Sequence, residues 1–223
     1  MDISFQTAAG GNSWSLTACA EWAKANDFDC VRLADDGTLN SEKILETGPD
    51  QVNTILSNHH LYLAAITSHC NLLDDDKNIA EAEQKRLIKA IRSASLLGCP
   101  VVVTGSGAPV KNGQFYGMYS SPPGNTSDRS IELVERFKKM FDPVVEVAES
   151  VQVKIALDVA VRMGNIACNP EMWEKVMTAI PSPYLGFSCD PSHWLWMMIT
   201  PVKDVIRDYA GKWFYADVKD CEI

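Results

Sequence analysis

Three aspartates each close an apolar run: Asp158 ends Val153–Asp158, Asp190 ends Tyr184–Asp190, and Asp217 ends Trp213–Asp217. Carboxylates at the ends of parallel strands converge on one mouth, where hard oxygen donors suit a divalent cation. Without a cation such charges repel one another, and at least one carboxyl is pushed up. Asp158, Asp190 and Asp217 are therefore expected as metal ligands. The competing reading makes Asp158 and Asp217 solvated strand-end residues, paired with Lys219 or Arg162, and lets Asp190-Pro191 merely start a turn.

The elements that position these residues repeat along the chain. Seven short apolar runs read as strands: Ile3–Gln6, Cys30–Leu33, Leu61–Thr67, Pro100–Thr104 and the three that end in aspartate. Helical stretches separate them, which predicts an α/β fold with parallel strands. Runs such as Val101–Val103 are apolar throughout, as in a sheet covered on both faces. Asn78 with Glu81 predicts a capping box, with Gly98 as the stop. Asn169–Pro170 and Thr200–Pro201 predict caps followed by proline at the first helical position. Arg129–Glu149 predicts a second long helix. Gly105–Thr126 breaks the rhythm as a loop of about twenty residues after the fourth strand, long enough to suggest a lid or binding loop.

The chain has 223 residues, a hydrophobic fraction of 46% and a net charge of −9. One domain spanning 1–223 is expected. The acidic balance argues against nucleic acid and an anionic membrane surface. No apolar stretch is long enough to span a bilayer, and the N-terminus lacks the pattern of a signal peptide. The seven cysteines form no C-x-x-C pair. Reduced thiols in a cytoplasm are the expectation.

The string Leu185-Gly186-Phe187-Ser188-Cys189-Asp190-Pro191-Ser192-His193 resembles the D-P-S-H motif of the sugar phosphate isomerase/epimerase family. That family comprises the xylose-isomerase-like TIM barrels. Ile3–Phe5, Ser13–Leu16, Thr67–Asp74, Ala94–Val103, Gly164–Ala167, Pro170–Trp173 and Lys219-Asp220 are similar to it in the same order. The resemblance implies a (β/α)8 TIM barrel, here truncated after strand seven, since the run for an eighth strand is missing. Open strand edges follow from that gap, and dimerisation over it or a longer native chain is expected.

The resemblance also implies a mechanism. A divalent metal polarises a sugar carbonyl while carboxylates move a proton at the neighbouring carbon. Asp158 takes the place of a glutamate on strand five, Asp190 matches an aspartate on strand six, and Asp217 replaces a histidine on strand seven. The strand-eight glutamate is absent. Asp158 and His193 are the expected catalytic pair. His69, His193, Trp14 and Lys219 are the expected substrate contacts, with a structural hydrogen bond as the alternative for His69 and core packing for Trp14. A ligand set of carboxylates alone favours Mn2+ or Mg2+ over Zn2+ or Co2+.

The expected function is metal-dependent isomerisation or epimerisation of a small sugar or sugar derivative. One alternative is a dehydratase or lyase acting on a keto-sugar or inosose. Another is a catalytically weakened relative that binds a sugar-like ligand. No Gly-x-Ser-x-Gly elbow or nucleotide fingerprint points elsewhere.

Overall fold

The structure is a computed structural model, describing residues 2–7, 14–35, 37–111, 114–115, 130–159, 165–196 and 198–218. Its strands are β1 (Ser4–Gln6), β2 (Cys30–Ala34), β3 (Tyr62–Thr67), β4 (Val101–Gly105), β5 (Val110–Lys111), β6 (Gln114–Phe115), β7 (Lys154–Asp158), β8 (Leu185–Cys189) and β9 (Trp213–Ala216). The helices are α1 (Leu16–Ala25), α2 (Ser41–Thr47), α3 (Asp50–Asn58), α4 (Lys77–Leu96), α5 (Ser130–Val151), α6 (Pro170–Ala179), α7 (Pro191–Trp196) and α8 (Val202–Asp208).

Seven strands form one parallel sheet in the order β1-β2-β3-β4-β7-β8-β9. This is the barrel expected from the sequence, open between β1 and β9. All seven strand runs fall where the apolar pattern puts them. The segment after β4 differs in part, because a short antiparallel hairpin, β5 with β6, sits where a structureless loop is expected. Most of the rest of that loop, 112–113 and 116–126, lies outside the described residues.

Helix starts follow local hydrogen bonding. Asn169 caps α6 as expected, its side chain accepting from the Met172 N–H at 2.9 Å. The cap of α4 is Asp76 rather than Asn78: its carboxylate accepts from the Asn78 N–H at 2.8 Å. The earlier acidic residue prevails because an ionised cap makes a stronger bond to an orphan N–H. Pro201 itself precedes α8, with no side-chain cap. After α4, Gly98 turns the chain at a φ of 68°, a region that costs glycine little.

Alternation along the strands separates two faces. Val31, Leu33, Ile155, Leu157, Leu185 and Phe187 face the helices in the main core. Ala65, Val101, Val103 and Ala156 form a separate cluster inside the barrel, with Phe214 and Tyr215 packed against it. Small residues there make room for the two large rings. Gly186 shows the tightest case: a Cβ would stand 2.4 Å from the Lys212 carbonyl oxygen and 2.6 Å from the Phe214 ring. Trp194 is fully buried against Trp173 and Trp213, with ring centroids 5.8 and 5.0 Å away. It belongs to the helix-side core.

Candidate active site

The inward positions of the barrel turn polar toward the C-terminal ends of the strands. On β7 the alternation runs Ala156 then Asp158, and on β8 it runs Gly186 then Ser188. Asp158 is the register partner of Ser188 across β7 and β8, so the two backbones lie about 4.8 Å apart. Asp190 follows two residues after Ser188, just past the end of β8. Asp158 is half-buried, and no hydrogen bond or ion pair reaches its carboxylate among the described residues.

Asp190 is deeply buried and partnered. Its Oδ1 accepts from the Ser192 hydroxyl at 2.6 Å, and its Oδ2 lies 3.1 Å from His193 Nε2. The His193 N–H also donates to the Asp190 carbonyl at 3.2 Å. The D-P-S-H string thus folds into one turn that sets the imidazole against the carboxylate. A proton on Nε2 is stabilised by Asp190, which leaves Nδ1 as the ring nitrogen free to exchange with a ligand.

Asp217 is placed differently from its expected role. Arg32, on β2 at the other side of the open barrel, is 2% exposed and sends Nη1 to both Asp217 oxygens at 2.7 and 2.8 Å. Its Nε donates to the Thr67 hydroxyl at 2.5 Å, and the guanidinium carbon sits 5.0 Å from the Tyr215 ring centroid. The Ser188 hydroxyl adds a third bond to Asp217 at 3.3 Å. This ion pair bridges the gap between the two ends of the sheet.

A divalent ion needs several oxygen donors free to turn toward it. Asp217 has both oxygens committed to a guanidinium, whose positive charge opposes a second cation. Asp190 is committed to Ser192 and His193. Among the described residues no three acidic, histidine or cysteine side chains come together as a metal-holding group. As placed, Asp158, Asp190 and Asp217 share the mouth but do not fit a common metal.

The other expected contacts are dispersed. His69 is exposed just past β3, where Arg86 Nη2 bonds its carbonyl oxygen. Trp14 packs edge-on against Trp22, with centroids 6.2 Å apart. Lys219 lies outside the described residues, as do Arg162 and Asp220. Asp35, which the sequence did not single out, stands at the end of β2. It accepts from the Ser41 N–H at 2.9 Å and the Ser68 hydroxyl at 3.1 Å. Burial pushes its carboxyl above the usual range, with these bonds and Arg86 pulling the other way. Arg32 was legible in principle: one charge inside the apolar run Cys30–Ala34, on a strand buried on both faces, demands a partner.

The model of the xylose isomerase-like TIM barrel matches residues 20–222. The chain belongs to this family. No curated protein matches it by sequence. Among solved structures of the same fold is 3-keto-D-glucoside 4-epimerase YcjR from E. coli, 12% identical, with a TM-score of 0.78 over 99% of this chain and 79% of that one. The IOLI protein, solved with a zinc atom, is 16% identical, with a TM-score of 0.75 over 100% and 75% of the two chains. A probable 3-DHS dehydratase, AsbF, from Bacillus anthracis is 13% identical, with a TM-score of 0.69 over 96% and 71%. Identities this low establish the family fold and leave the reaction to the site. No helix among the described residues is long and apolar enough to cross a membrane.

Proposed function

We propose that this family member isomerises or epimerises a small sugar or sugar-derived polyol that carries a carbonyl. The observation that carries the reading is the Asp158 carboxylate, unpartnered among the described residues, on the strand next to the one that leads into the Asp190–His193 turn. Asp158 takes the proton from the carbon next to the carbonyl. His193, protonated and braced by Asp190, gives a proton to the carbonyl oxygen, and an enediol results. Protonation of the same carbon by water on its opposite face, with His193 taking back the hydroxyl proton, inverts it; transfer from Asp158 to the former carbonyl carbon, with the proton of the other enediol hydroxyl passing to His193 or water, moves the carbonyl. Proton transfer of this kind contributes on the order of 100- to 10,000-fold per positioned group. Kinship with epimerases of the same fold supports the substrate class.

The test is deuterium wash-in. A panel of keto sugars is incubated with the protein in heavy water and followed by proton NMR. Loss of the signal beside the carbonyl, absent with Asp158→Asn, is the expected result. No exchange on any member of the panel overturns the reading. The products separate an isomerase from a lyase.

A further inference from the structure

We infer that Arg32 supplies the fixed positive charge of this mouth, in the place of a divalent ion, and that its Nη2 meets the carbonyl oxygen of the ligand. Three observations lead there. The guanidinium is almost wholly buried, yet it reaches the polar end of the barrel. Two of its three nitrogens are fixed from the flanks, Nε by Thr67 and Nη1 by Asp217, while Tyr215 lies against the plane. Nη2 has no hydrogen-bond partner among the described residues.

Among the described residues the buried side-chain atoms left without a partner are Ser4 Oγ and Trp194 Nε1, so Arg32 Nη2 keeps access to solvent, where water or a ligand completes it. The oxygen of a carbonyl that gains negative charge as the neighbouring proton leaves is the ligand such a donor stabilises most. Asp217 is then the counter-ion that holds the guanidinium in place, acting through Arg32 and touching neither metal nor substrate. This also answers the charge problem posed by the sequence. Three carboxylates at one mouth require a cation, and the chain carries its own.

The inference rests on the proposed reaction only for the identity of the ligand oxygen; the charge assignment stands apart from it. The unaltered protein is titrated with Mn2+ alone and followed by electron paramagnetic resonance. No stoichiometric ion is expected, and deuterium exchange is expected to survive EDTA. Arg32→Gln should lower exchange about 100-fold, with Arg32→Lys recovering part of the loss. A stoichiometric ion that disappears in Asp217→Asn, or exchange abolished by EDTA and restored by Mn2+, overturns the inference.

If no sugar exchanges even with the unaltered protein, the proposed reaction fails while a stability cycle still decides the charge assignment. Arg32→Gln and Asp217→Asn should each lower the melting temperature by roughly 10 °C, and the double variant should melt no lower than the worse single. Additive losses overturn the pairing. Should either single variant fail to fold, the Mn2+ titration of the unaltered protein decides: no bound ion supports Arg32 as the cation, and a stoichiometric ion overturns it.

Discussion

Asp158 stands in register with Ser188, whose hydroxyl is spent on Asp217 3.3 Å away, so the nearest hydroxyl on the adjacent strand is turned from Asp158. A carboxylate with no hydrogen-bond partner among the described residues is free to turn toward a substrate proton. Replacing it removes chemistry and no bond among the described residues. Asp158→Asn is expected to cut exchange and turnover by about 100-fold or more while leaving the thermal midpoint within a degree or two of the parent. Parallel kinetics and melting curves check both halves. A large drop in stability with modest loss of turnover would make Asp158 structural.

Gly186 gives a prediction about packing. Its missing side chain is the space that the Phe214 ring occupies, and the Lys212 backbone stands behind it. A backbone carbonyl cannot swing away as a flexible side chain can. Gly186→Ala should destabilise the fold by about 1–3 kcal/mol or more through overpacking, read from the urea midpoint at constant m-value. The ladder from β8 to β9, which carries Asp217, is the part expected to loosen first.

The order of strands was readable because each barrel strand is short, apolar on both faces and followed by a helix, a pattern that few folds share. Asp158, Asp190 and Asp217 were readable as strand-end carboxylates for the same reason. Their partners were not. Arg32 and Asp217 are 185 positions apart, and no local periodicity connects them; only closure of the sheet brings β2 opposite the end of β9. The short D-P-S-H string was the opposite case, since Asp190, Ser192 and His193 meet within one turn. The cap of α4 moved from Asn78 to Asp76 because three consecutive aspartates offered competing caps, and spacing alone does not choose among them.

The thiols offer a check on the core. Cys19, Cys30, Cys70, Cys99, Cys168 and Cys189 are all buried and in no disulfide. Burial pushes the Cys70 and Cys99 thiols up to about 12. Cys189 rises to about 11, through burial first and then through the neighbouring charges of Asp190 and Asp217. Nucleophilic attack needs the thiolate and access. These six should be silent to a disulfide reagent at pH 8 in the native protein and react together in denaturant. Rapid native labelling of Cys189, located by peptide mass, would mean that the mouth opens far more than its packing suggests.

Asp35 predicts how stability changes with pH. Burial raises its folded-state value above the ordinary one of about 4. The folded chain therefore binds this proton more tightly than the unfolded chain does. Its contribution is fully present below the ordinary value and is lost as pH rises through the raised one. Asp35→Asn keeps an oxygen to accept from the Ser41 N–H and removes the charge. The urea midpoint of the variant minus that of the parent should grow as pH is taken from 4 to 7. A difference that stays flat across that range would show that the Ser41 and Ser68 bonds and Arg86 fully offset burial. A difference that shrinks would mean that Asp35 is stabilised as the anion, and would shift attention to Arg86 as its working partner.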